Sequence, residues 1–149
     1  MGIISKLNNY SFTMSPQQSS KTVWAIGSLG ISYDALPESL LETCLENVSK
    51  IKKSQMSGAI PAGQILVGLA KTGLPWTKMS TSMKGNTWEQ LTRVCQTSND
   101  RSIPNAVWSM ATLGCPYSEF PKSVREAMME GSVHISGTCS AWAFSNMIW

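Results

Sequence analysis
The chain has a single histidine, His134. Cys–His or Ser–His–Asp catalysis would have to run through it, and no carboxylate or nucleophile stands at a fixed spacing from it. The four cysteines, Cys44, Cys95, Cys115 and Cys139, form no Cys-x-x-Cys pair, and no histidine lies at finger spacing, which excludes the usual zinc frameworks. Met1 to Ser20 holds no continuous apolar core of a secretory signal. Disulfides are therefore not expected, and buried free thiols are. A phosphate loop is absent too, because Lys84-Gly85-Asn86-Thr87 has the wrong order. Enzymatic chemistry, a metal, a cofactor and a small-molecule substrate all lack residues to carry them. The chemistry that remains is hydrogen bonding by side chains at regular spacing. Lys21, Gln64 and Asn105 stand nine residues before Gly30, Gly73 and Gly114. Ser28, Lys71 and Thr112 stand two before the same glycines, and Asn146 matches them in a partial fourth copy. Residues seven apart share a helix face. Between them lie the small residues Ala25, Gly68, Ser109 and Ala143, with Ser109 adding a hydroxyl. A polar stripe with low walls suits an extended ligand read one base per unit.

The elements that position this stripe repeat. Val23-Trp24-Ala25-Ile26-Gly27-Ser28-Leu29-Gly30 is echoed at 66–73 and again at 107–114, with the closing glycines 43 and 41 residues apart. After each glycine the copies align without gaps: Tyr33, Trp76 and Tyr117, then Asp34, Thr77 and Ser118, then Leu36, Met79 and Phe120, then Pro37, Ser80 and Pro121. Ser39, Ser82 and Ser123 follow, then Leu40, Met83 and Val124. The glycine predicts a left-handed C-terminal stop for a first helix. Asp34, Thr77 and Ser118 are N-cap types, and Pro37 and Pro121 fit the first turn of a second helix. In the second copy, Gly85-Asn86 predicts a break before Trp88. A helix pair cannot bury its apolar stripe alone, so repeated pairs must stack. The expected fold is all-α: an α-solenoid of about three and a half helix-turn-helix repeats with a period of roughly 40 residues.

The phrase Val-Trp-Ala-Ile-Gly-Ser-Leu-Gly at 23–30 and its echo at 107–114, with Leu-Pro-Glu-Ser at 36–39 and Phe-Pro-Lys-Ser at 120–123, resemble the octotricopeptide and heptatricopeptide helical repeats. Similar repeats occur in the FAST-kinase-like and RAP-domain proteins of organelles. The resemblance spans about residues 18–149, with units at 18–56, 57–101, 102–135 and an incomplete 136–149. It implies binding of single-stranded organellar RNA through a row of first-helix side chains. This chain departs from the pattern at Val67, where the other copies have tryptophan, and lacks a RAP-type domain. On this reading Lys21, Ser28, Gln64, Lys71, Asn105, Ser109, Thr112 and Asn146 meet the RNA. The alternative is a protein–protein scaffold or a structural subunit of a larger assembly.

Composition adds detail. The chain is 42% hydrophobic and 14% charged, with a formal net charge of +3, a globular balance that permits an anionic partner without demanding one. Residues 47–101 hold eight Lys and Arg against Glu89 and Asp100, a local +6. Lys50, Lys52, Lys53, Lys78, Lys84, Arg93 and Arg101 are the candidates for phosphate contact; Lys50, Lys52 and Lys53 would equally favour a helix C-terminus. Trp24, Trp108 and Trp142 recur amid apolar neighbours, which places them in the core rather than against bases. Cys115 takes the slot of Ile31 and Leu74, a further sign of a packed thiol, and His134 falls in a connector. No acidic residue precedes Asp34. Residues 1–17 therefore read as a flexible or transit-like segment, and the compartment as mitochondrion or plastid, otherwise cytoplasm. The longest uncharged run, Gly131 to Trp149, is too polar to span a membrane. It ends on Trp142, Phe144, Met147, Ile148 and Trp149 without a second helix. Solenoids end in polar caps, so the expectation is a fragment of a longer array, or a partner subunit covering that end.

Overall fold
The structure, a computed structural model, describes residues 2–51, 59–96 and 102–136. Among the described residues it is all-α, with seven helices and no strand. Helix α1 spans Ile3–Ser11, α2 Pro16–Ser28, α3 Glu38–Ser49, α4 Ala59–Lys71, α5 Thr81–Cys95, α6 Ser102–Thr112 and α7 Lys122–Ser136. Short 3-10 turns lie between α2 and α3 (Tyr33–Ala35), α4 and α5 (Trp76–Lys78), and α6 and α7 (Tyr117–Glu119).

The glycine register sets the boundaries three times over. Each first helix ends two residues before its glycine, and each second helix starts eight after it. Gly30, Gly73 and Gly114 have φ of +72°, +75° and +73°, the left-handed stop that a side chain with Cβ adopts only under strain. Helix α2 begins in a capping box: Ser15 Oγ accepts from the Gln18 N–H, Gln18 Oε1 accepts from the Ser15 N–H, and Pro16 fills the first turn. In α5, Ser80 Oγ accepts from the Met83 N–H.

Helices α2, α4 and α6 pack side by side, as do α3, α5 and α7; α1 rests on α3. Between the two rows lies the core of Val23, Ile26, Leu40, Leu45, Ile65, Leu66, Leu69, Leu91, Val94, Ile103 and Met110. Burying each such side chain contributes about 1.5–3 kcal/mol. Glycine sets the closest approach in the first row. A Cβ on Gly27 would lie 2.6 Å from the Gly68 carbonyl oxygen, and one on Gly68 would lie 2.7 Å from the Trp24 nitrogen. Backbone hydrogen bonds join successive segments at their turns. The Tyr33 N–H donates to the Thr72 carbonyl at 2.9 Å, and the aligned Trp76 N–H donates to the Leu113 carbonyl at 2.7 Å.

Four expectations are corrected. Residues 3–11 are a helix, not a loose segment: Asn47 Nδ2 donates to the Ser11 carbonyl at 2.7 Å, and Ser39 Oγ donates to Asn8 Oδ1 at 3.0 Å. Helix α5 runs unbroken through Gly85. One exposed glycine costs only about 1 kcal/mol, and the buried face of Met83, Thr87, Gln90, Leu91 and Val94 outweighs it. Asp34, Thr77 and Ser118 lie inside three-residue 3-10 turns, not at second-helix caps, which come three residues later, as at Pro37 and Ser80. Position 134 lies within α7, not in a connector; the His134 side chain is outside the described residues. The incomplete fourth unit lies mostly outside them as well.

Candidate functional site
The row of first helices carries no carboxylate. Helices α2, α4 and α6 contain no Asp or Glu, while Lys21 and Lys71 are exposed on them. Every acidic residue of the described segments lies on a 3-10 turn or a second helix: Asp34, Glu38, Glu42, Glu46, Glu89, Glu119, Glu126 and Glu130.

On each first helix, three positions at i, i+3 and i+7 share one face. They are Lys21, Trp24 and Ser28 on α2, Gln64, Val67 and Lys71 on α4, and Asn105, Trp108 and Thr112 on α6, and none of the nine is buried. Lys71 reaches across to α2. Its ammonium donates to Ser28 Oγ at 3.3 Å and lies 5.9 Å from the Trp24 ring centroid. Gln64 Oε1 accepts from Ser20 Oγ at 3.3 Å.

The structure therefore brings Lys21, Ser28, Gln64, Lys71, Asn105 and Thr112 onto one row, with two corrections. Ser109 is 0% exposed, and its hydroxyl donates to the Asn105 carbonyl at 2.7 Å. It packs inward, as Gly68 does, so it does not belong to the accessible row. On α2 and α6 the middle of the row is tryptophan: Trp24 is 44% exposed and Trp108 37%. They are not core residues. Ile26, Leu69 and Met110 take the core position four before each glycine. Two residues of helix rotate the side chain by about 200°, which turns position six before the glycine away from that core. Trp76 is the tryptophan that packs, 1% exposed, with Nε1 donating to Glu119 Oε2 at 2.6 Å and its ring 4.9 Å from Trp88. Asn146, Lys52, Lys53 and Arg101 lie outside the described residues, as does Trp142.

The remaining basic candidates do not gather on this face. Lys50 ends α3 and pairs with Glu46 at 3.9 Å. Lys78 sits on a 3-10 turn. Lys84 lies on α5, 3.9 Å from Glu119 and 5.1 Å over the Trp76 ring. Arg93 is 9% exposed and ties α5 together: Nη2 donates to the Ile51 carbonyl at 2.9 Å and to Glu89 at 3.1 Å. A guanidinium so enclosed positions the end of α3 and is removed from the phosphate set.

Cys44 and Cys95 are buried and Cys115 half-buried, all three free; Cys139 lies outside the described residues. Burial pushes the Cys44 thiol to about 11 and the Cys95 thiol to about 12. Burial, helped by the Glu119 charge, also takes Cys115 to about 12. Thiols held neutral in this way are poor nucleophiles at neutral pH. Among the described residues no three His, Cys, Asp or Glu side chains converge as a metal site, and no helix is long and apolar enough to cross a membrane. Comparison with protein families, with curated proteins and with solved structures finds no match.

Proposed function
We propose that the chain is a non-catalytic α-solenoid module that binds single-stranded RNA along its first helices. On the resemblance to octotricopeptide and heptatricopeptide repeats, the RNA is organellar. The mitochondrial or plastid setting rests on that resemblance and on the acid-free stretch before Asp34. The solenoid reading is supported by three successive helix–turn–helix segments in one glycine register, joined at their turns by equivalent backbone bonds.

One observation carries the RNA reading: the acid-free face of α2, α4 and α6, with Lys21 and Lys71 among hydrogen-bonding side chains at matched positions. Carboxylates repel a phosphate backbone at close range, and α2, α4 and α6 carry none. Lys21 and Lys71 meet phosphates, while Ser28, Gln64, Asn105 and Thr112 meet base edges.

The test is fluorescence anisotropy of labelled random single-stranded RNA across a salt series. Each phosphate contact lowers the slope of log affinity against log salt by about 0.7, so two lysines give about −1.4. Lys71→Ala removes about one contact from that slope. Asn105→Ala leaves the slope alone and changes the preference among RNA sequences. No binding at low salt, or a flat salt response, refutes the proposal and leaves the same face to a protein partner.

A further inference from the structure
We infer that Trp24 and Trp108 are stacking platforms for unpaired bases, a role distinct from the hydrogen-bonding side chains that flank them. This rests on the RNA reading above. The chain packs Trp76 almost completely, so it has the means to bury an indole. At the aligned sites in α2 and α6 it leaves two large rings in contact with solvent. Both occupy the same helical register, six residues before the left-handed glycine. Both sit between two polar neighbours on their own helix, Lys21 and Ser28 for one ring, Asn105 and Thr112 for the other.

That arrangement separates the two tasks of base recognition. A ring face is sequence-tolerant, since every base has a π-face to lay on it. Side chains three residues before and four after the ring, one helical turn away on either side, can reach the edges of a base lying on the indole. Lys71 adds a cation at the first platform. Its ammonium lies 5.9 Å from the Trp24 ring centroid, where it can also meet the phosphate of a stacked nucleotide. The middle unit has Val67 in place of an indole and contributes this lysine. Neighbouring packed helices stand about 8–10 Å apart, so the two rings are separated by roughly 16–20 Å along the row. The occupant is a single strand, because a duplex hides its base faces. The absence of carboxylates along α2, α4 and α6 fits a polyanion, and a row of alternating polar groups does not fit an apolar protein ridge.

The experiment uses the full chain, a labelled random single-stranded RNA, an abasic ribose-phosphate oligomer of equal length and a duplex RNA, all at low salt. Trp24→Ala and Trp108→Ala each weaken single-stranded binding by roughly 5–150-fold, the loss of one stacked base. Binding of the abasic oligomer and the salt slope stay as in the unmodified chain. Trp24→Phe and Trp108→Phe keep most of the affinity, and they carry the test should an alanine variant melt early. Titration of the unmodified chain also quenches tryptophan emission, and the quench shrinks in each variant. Equal binding by the alanine variants, or an equal loss on the abasic oligomer, overturns the stacking role while the RNA reading stands. No RNA binding by the unmodified chain overturns both.

Discussion

Gly63 and Gly68 lie on the same helix, yet alanine should change stability in opposite directions at the two sites. A Cβ on Gly63 would meet nothing within 4 Å. Gly63→Ala therefore shows the helix-propensity gain alone, about 0.5–1 kcal/mol. A Cβ on Gly68 would stand 2.7 Å from the Trp24 nitrogen and from the Val23 carbonyl carbon, and 2.8 Å from the Val23 oxygen. Carbon atoms are comfortable at about 3.5–4.0 Å, so α2 and α4 would have to part by roughly 1 Å. These neighbours are backbone and cannot swing aside. Overpacking costs about 1–3 kcal/mol, and rigid contacts place this site near the upper end, about 3. Subtracting a propensity gain of about 1 leaves a net loss of about 2 kcal/mol. At about 2–4 °C per kcal/mol for a chain of this length, Gly68→Ala melts about 4–8 °C lower, and Gly63→Ala slightly higher. Thermal melts followed by circular dichroism, with urea curves at fixed temperature, measure both. Gly27→Ala meets the same crossing from the other helix, so the Gly27/Gly68 double variant should cost less than the sum of the singles. Equal stability of Gly68→Ala and Gly63→Ala would refute the close approach of α2 and α4.

Three further outcomes are expected. Trp76→Ala costs about 3–5 kcal/mol, with loss of the indole bond to Glu119, whereas the half-exposed Trp108 costs roughly 1–2 on the same change; urea unfolding separates the two. Ser15→Ala opens the capping box of α2 and lowers stability by about 1 kcal/mol in the same assay. Cys44 and Cys95 hold their protons to about 11 and about 12, against an ordinary 9.0, so the unfolded chain ionises first. Their contribution to stability is complete below pH 9 and falls as pH rises towards 11 and 12, and thiol labelling at pH 8 needs denaturant to proceed; labelling of the native chain at the unfolded rate would contradict the burial.

Local signals were readable wherever one residue type has one cheap use. Glycine marks the end of each first helix, and all three glycines adopt positive φ. The sequence places the start of each second helix three residues too early, at Asp34, Thr77 and Ser118, because residue types that cap helices also fill 3-10 turns. Helix α1 was hidden because it is short and has no capping side chain, although Leu7 packs against the core. Asn47 and Ser39, far along the chain, fasten it to α3. Arg93 looked like a free cation although Glu89, four residues back on α5, is a local partner; what encloses it is the carbonyl of Ile51, 42 residues away. The tryptophans are different, since their exposure was available to arithmetic. The apolar position four before each glycine and the tryptophan six before it differ by about 200° and cannot face one core. Apolar neighbours on both sides masked that phase difference. Gly85 misled because propensity is a weak local term and the buried face of α5 decides.

The bonds from Tyr33 to Thr72 and from Trp76 to Leu113 join main-chain atoms only. Their geometry therefore does not depend on which side chains stand at the joined positions, as tyrosine and tryptophan at one end and threonine and leucine at the other already illustrate. A segment can thus mutate its outward residues freely and still dock on its neighbour in the same register. Exchange of whole segments is limited instead by the helix crossing: Gly68 meets Gly27 closely between α2 and α4, whereas the aligned position in α6 is Ser109. For an engineer this leaves the outward residues Lys21, Trp24 and Ser28 and their counterparts as the positions to rewrite, with the main-chain joints and the glycine crossing left untouched.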